Sequence, residues 1–191
     1  MTLIKDKRSK KVAFIAHCLL NQNAKVNGFA FFPAMIKDII DILYEHDFGI
    51  VQLPCPETSF SGTRRWWYVR EQYDTPGYRL HCKRILEPTM LQLEEYQKEG
   101  YKVVVIGLDG SPSCGVRCSG TSKEWGGPPK ISEEDMKRYP LTEKPGIFME
   151  VFMEEIRRRG LKEPKMTGAG FDISGFKLED IKKELDDFLS G

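Results

Sequence analysis

The 191-residue sequence has no excess of charge. Its 29 Lys and Arg stand against 28 Asp and Glu, a net charge of +1. That removes the bulk attraction by which proteins hold duplex nucleic acid or an anionic membrane surface, and neither is expected as a partner. There is no run of 18 apolar residues, so no spanning helix is expected. The opening stretch MTLIKDKRSKKVAFIAHCLL sets charges before an apolar run, as a secretory signal does. His17 and Cys18 interrupt that run, and no A-x-A-like cleavage site follows at once. Residues 1–10 therefore read as a flexible basic tail feeding a first strand, and the expected location is cytoplasmic. An even cysteine count is missing too: there are five, where secreted disulfide frameworks usually pair theirs in shorter chains. None of the five forms C-x2-C. No G-x-G-x-x-G follows the first strand, whose exit is AHCLLNQ, which argues against a dinucleotide-binding turn. Internal repeats, low-complexity linkers and composition breaks are absent, so residues 1–191 read as one domain.

What is present is an alternation of short apolar runs with helical patterns. KVAFIA (11–16) is a continuous apolar run, as in a strand buried on both faces. Pro33 opens a helical pattern in which Met35, Ile36, Ile39, Ile40 and Leu43 recur, and Gly49 ends it. GIVQLP (49–54) is a second strand. LHCKRILEPTMLQLEEYQKEG reads as a helix that Pro88 must kink or restart. YKVVVIGLDG is a third strand, IFMEVFMEEIRRRG an amphipathic helix, KMTGAGFDI a glycine-broken fourth strand and LEDIKKELDDFLS a closing helix. One short helix is expected at 132–138. This order predicts an α/β fold: a Rossmann-like, open, mainly parallel sheet of about four strands with helices on both faces.

In such sheets, ligands bind beyond the carboxyl ends of the strands. Cys18 follows the first strand, Cys55 the second and Cys114 the third. Three thiols far apart in sequence are thus delivered to one edge of one sheet. Iron–sulfur clusters are held by cysteine thiolates, normally four, and three would leave one iron open. Zinc held by the three cysteines and His17 is a second solution. A third is that small buried cysteines simply sit well at strand ends, and a redox thiol pair is a fourth. Spacing alone leaves these open.

CLLN after the first strand, CPE after the second and SPSCG after the third resemble the thiouracil desulfidase (TudS-like) family, in that family's order, over roughly residues 11–115. The resemblance implies an oxygen-sensitive 4Fe–4S cluster as cofactor, with Cys18, Cys55 and Cys114 as its metal ligands. It implies a non-redox desulfidase acting on a thiolated pyrimidine base, nucleotide or related small molecule, through sulfide bound to the open iron. The same cluster would equally serve a sulfurtransferase or sulfur carrier, and a non-catalytic metal-binding module is a further alternative. The sequence departs from the family where CLLNQNAKVNG replaces a CLLG stretch and where TSFSGTRRWW follows CPE.

Removing sulfur by hydrolysis needs a general base within hydrogen-bond reach of a water. Glu57 of CPE is the candidate, and a solvated loop carboxylate is its plainer reading. Ser111 and Ser113 flank Pro112 beside Cys114 as donors to substrate or cluster; turn chemistry, with an N-cap at Ser113, is the competing reading. Asp109 orients a ligand or caps the loop, and Gly110 and Gly115 permit close backbone approach. Cys118 could receive sulfur or replace a ligand, but the expectation is that it has no role. Cys82 is expected to pack in a helix. His17 is expected to face away from Cys18 by strand alternation. In TRRWWYVR the side chains could stack a base and bind phosphate, but the expectation is an excursion whose tryptophans fill a core.

Overall fold

The computed structural model of the chain describes residues 6–123, 140–170 and 177–191. The helix expected at 132–138, the first half of the basic tail and the end of the fourth expected strand lie outside these residues.

The chain runs β1 (Lys11–Ile15), α1 (His17–Leu20), a 3-10 turn (Gln22–Ala24), α2 (Lys37–Glu45) and β2 (Gly49–Gln52). It continues through α3 (Pro56–Ser61), α4 (Arg70–Tyr73), α5 (Pro76–Lys98), β3 (Lys102–Gly107), β4 (Ser119–Gly120) and β5 (Leu141–Thr142). It closes with α6 (Ile147–Arg158), β6 (Lys165–Gly168) and α7 (Leu178–Ser190). The main sheet has the order β2-β1-β3-β6, and every pair in it is parallel. Ala13 pairs with Ile50 on one side and Val104 on the other. β4 and β5 form a separate antiparallel ribbon, Ser119 against Thr142. The α/β class and parallel sheet are as the alternating runs predict.

The central strands β1 and β3 read as unbroken apolar runs because both of their faces are covered. Ala13, Phe14, Ile15, Val105 and Ile106 are all fully buried. α5 packs on α6, and α2 packs on α7. α6 buries Phe148, Met149 and Phe152 completely. No described helix is long and apolar enough to cross a membrane.

Two helix boundaries differ from the periodicity. α2 starts at Lys37, not Pro33. The preceding backbone is tied to the β1 exit instead: Gln22 N donates to Ala34 O at 2.6 Å and Ile36 N to Leu19 O at 3.0 Å. Those long-range bonds satisfy groups that a longer helix would have used, and they leave Met35 outward and exposed. α5 runs unbroken through Pro88 and starts earlier than expected. Thr75 caps it, accepting from Tyr78 N at 3.2 Å, with Pro76 in the first turn. Pro88 removes one ladder bond, but Cys82, Leu86, Met90 and Leu93 bury on either side of it and hold the helix together.

Candidate functional site

Parallel pairing puts the carboxyl ends of β1, β2 and β3 at one edge of the sheet, and each exit turns at once into a short, tightly bonded segment. After β1, Leu19 of α1 is fully buried, while its neighbour Cys18 remains on a cleft wall. Gln22 secures this turn by donating to Cys18 O at 2.7 Å and accepting from Phe31 N at 3.2 Å. After β2, Cys55 is the N-cap of α3, with Sγ accepting from Thr58 N at 3.4 Å and Pro56 in the first turn. That cap places Glu57 in the first turn, where a carboxylate is favoured.

After β3 the loop folds around Asp109. Its carboxylate is fully buried and accepts from Val116 N and Arg117 N, each at 2.9 Å, and from Arg117 Nε at 2.5 Å. Asp109 thus caps the loop. Ser111 Oγ accepts from Ser113 N at 3.3 Å and Cys114 N at 3.1 Å, so the turn is made by Ser111 and not by an N-cap at Ser113. The carbonyls of Pro112 and Ser113 accept from Ile147 N and Phe148 N, which closes the start of α6. Gly110 has φ of 81°, and a Cβ on Gly115 would lie 2.1 Å from Cys118 O. Gly115→Ala is therefore expected to destabilise the fold by about 1–3 kcal/mol, read by thermal or urea denaturation. An unchanged midpoint would mean the loop is looser than described.

These segments enclose a cleft of about 680 Å³, open mouth included. Cys18, Cys55, Cys114, Glu57, Ser111 and Ser113 all line it. All five cysteines are free thiols. Burial pushes the Cys18 thiol up to about 12, partly offset by Lys25. Burial also raises Cys114 well above an ordinary thiol, and the charges of Cys18, Cys55 and Glu57 add to it. The three thiols are thus within electrostatic reach of one another. They sit around a cleft and not around a point: among the described residues, no three His, Cys, Asp or Glu converge at single-ion spacing.

Glu57 is held at both oxygens. Arg65 Nε donates to Oε2 at 2.8 Å and Ser113 Oγ to Oε1 at 2.5 Å. The Arg65 and Glu57 side chains are only 3% and 13% exposed, so this is a largely desolvated ion pair. Arg65 also donates to Ala24 O at 2.7 Å and Gly62 O at 3.1 Å, which pins three loops together. Ser113 Oγ lies 3.4 Å from Cys114 Sγ.

A profile of the family described as "Putative 2-thiouracil desulfurase" matches residues 10–139. The chain belongs to this family. The matched span carries all three strand-exit segments, and family membership suggests thiouracil desulfurase activity. An uncharacterized protein, MJ0003 of Methanocaldococcus jannaschii, is 39% identical over 109 residues, 57% of this chain and 70% of that protein. No solved structure matches.

The remaining expectations divide. Cys82 lies on the buried face of α5 and packs in the core, as its helical spacing predicts. Cys118 is partly buried and does not line the cleft. His17 does not line it either, but the alternation argument fails, because His17 opens α1 and does not extend β1. The tryptophans of TRRWWYVR do not fill a core. Trp66 is 63% exposed, and Arg65, Trp66, Trp67 and Tyr68 all line the cleft. Arg65 is legible in the sequence only as part of a basic-aromatic run. Its pairing with Glu57 rests on the Ala24 and Gly62 loops, which no local pattern announces.

Proposed function

We propose that the chain is a cluster-dependent desulfidase, replacing the sulfur of a thiolated pyrimidine or related ring by oxygen. One thiocarbonyl and one water give one carbonyl and one hydrogen sulfide, and no net electrons are transferred. The observation that carries this reading is one cleft, in a chain of the desulfurase family, lined by three free thiols and a fixed carboxylate. Three soft sulfur donors from three loops suit iron in a thiolate-rich environment. Cys18, Cys55 and Cys114 would hold a 4Fe–4S cluster. When bound, the cluster supplies a Lewis-acidic iron with an open position that a soft substrate sulfur can occupy.

The chain's own groups do the rest. Glu57 is the general base, taking a proton from the water that adds to the ring carbon. Arg65 and Ser113 each use one lone pair of the carboxylate and leave others free, since an ionised carboxylate offers about four. They hold its plane fixed against the cleft. Ser111 keeps Ser113 and Cys114 in place through their amides. Burial keeps the Cys18 and Cys114 thiols neutral when unliganded, so loading metal on them releases protons.

The test is anaerobic incubation of iron-loaded protein with 2-thiouracil and 4-thiouracil, following thiocarbonyl absorbance and sulfide. Uracil and sulfide in equal amounts over many turnovers support a desulfidase. One turnover with sulfur retained on the protein would favour a sulfur carrier. No reaction with any thiolated pyrimidine would overturn the proposal.

A further inference from the structure

The run TRRWWYVR is the one motif the reaction does not use in full. Its first member in the cleft, Arg65, is 3% exposed at the side chain and anchored to Glu57, Ala24 and Gly62. The backbone at that point is therefore pinned. Trp67, two residues on, is braced by Phe29, with ring centroids 4.4 Å apart and planes at 61°. Trp66 stands between these fixed neighbours, 63% exposed, and yet it lines the cleft with Glu57 and the three thiols. It makes no hydrogen bond or ring contact with any described residue. Large apolar rings left open to solvent on a rigid support mark a ligand surface more than a folding element. An indole presents a broad π-face, which stacks on any heteroaromatic ring regardless of its substituents.

We infer that Trp66 is the stacking platform for the substrate's ring and sets the substrate class: planar heteroaromatic thiocarbonyls over small acyclic ones such as thiourea or thioacetamide. The inference rests on the proposed desulfidase for the fate of the sulfur, but the stacking needs only the ring. Phe29 and Trp67 form a braced wall beside it. Loss of the indole removes binding surface from the ring and nothing from a thioamide.

The experiment is calorimetric titration of anaerobic iron-loaded protein with uracil, which has the ring but no sulfur to lose, alongside Trp66→Ala and Trp66→Phe. Trp66→Ala should weaken uracil binding by roughly ten-fold or more, and Trp66→Phe should retain most of it. Neither should shift the thermal midpoint, because Trp66 is exposed. In turnover, Trp66→Ala should collapse the kcat/KM ratio of 4-thiouracil to thiourea, mainly through KM for the ring. Equal uracil affinity in wild type and Trp66→Ala would overturn the inference, as would the absence of saturable uracil binding to wild type. Ring binding that depends on Trp66 without any sulfide release would overturn the desulfidase reading and leave this one standing.

Discussion

Glu57→Gln lowers kcat by about 10²–10⁴-fold, the usual contribution of a positioned general base. Glutamine has the shape of glutamate and can still accept from Arg65 or Ser113. It cannot take a proton from water. It also removes the charge that pairs Arg65, whose guanidinium is buried and whose remaining acceptors are the carbonyls of Ala24 and Gly62 and the hydroxyl of Thr58. Breaking a buried pair by removing one charge typically costs about 3–5 kcal/mol. Those carbonyls keep the effect here toward the lower end. Kinetics should accordingly be normalised to iron content and run below the variant's unfolding midpoint. Rate loss under those conditions is chemical and not structural. A variant that turns over at the wild-type rate per iron would place the base elsewhere.

Asp109→Ala has the largest expected effect on stability, about 3–5 kcal/mol by urea denaturation. Its carboxylate accepts from two loop amides and Arg117 with no exposure at all. Truncation leaves those amides without partners in a closed loop, and each buried orphan costs about 1–3 kcal/mol. It also frees Arg117 from its anchor between the loop and Gly168 O, a contact of 2.9 Å. The loop that collapses is the one carrying Ser111, Ser113 and Cys114, so metal content should fall with stability. Asp109→Asn keeps one acceptor oxygen and should lose less. A change within about 0.5 kcal/mol for Asp109→Ala would mean water replaces the carboxylate, and the loop owes its shape to something else. Gly168→Ala probes the same contact from the other side, because a Cβ there would lie 1.9 Å from Asp109 Oδ1.

The sheet is legible in the sequence because VAFI and VVVI bury both faces, and such runs read the same in sequence as in structure. The strand exits are legible for the same reason: where an apolar run stops, a parallel strand ends. Cys18, Cys55 and Cys114 can be placed at one edge from that alone. What the sequence does not carry is long-range bonding. The start of α2 differs from its periodicity because Ala34 and Ile36 bond back to the β1 exit. Pro88 looks like a break because its cost is local while the burial that offsets it is tertiary. The serine roles divide in a way no local pattern shows, since Ser111 makes the turn and Ser113 reaches Glu57. The tryptophans look like core because aromatic runs usually are. Trp66 instead stands exposed beside the pinned Arg65.

The central claim is that three strand-exit thiols hold one cluster, and its most direct test is composition. The protein should be purified or reconstituted anaerobically, and iron and acid-labile sulfide assayed per chain. Wild type should carry about four of each. Cys18→Ala, Cys55→Ala and Cys114→Ala should each lose most of both. Cys118→Ala, whose thiol lies off the cleft, should lose neither. Zinc in place of iron, no metal at all, or iron that survives each of the three cleft substitutions would contradict the account.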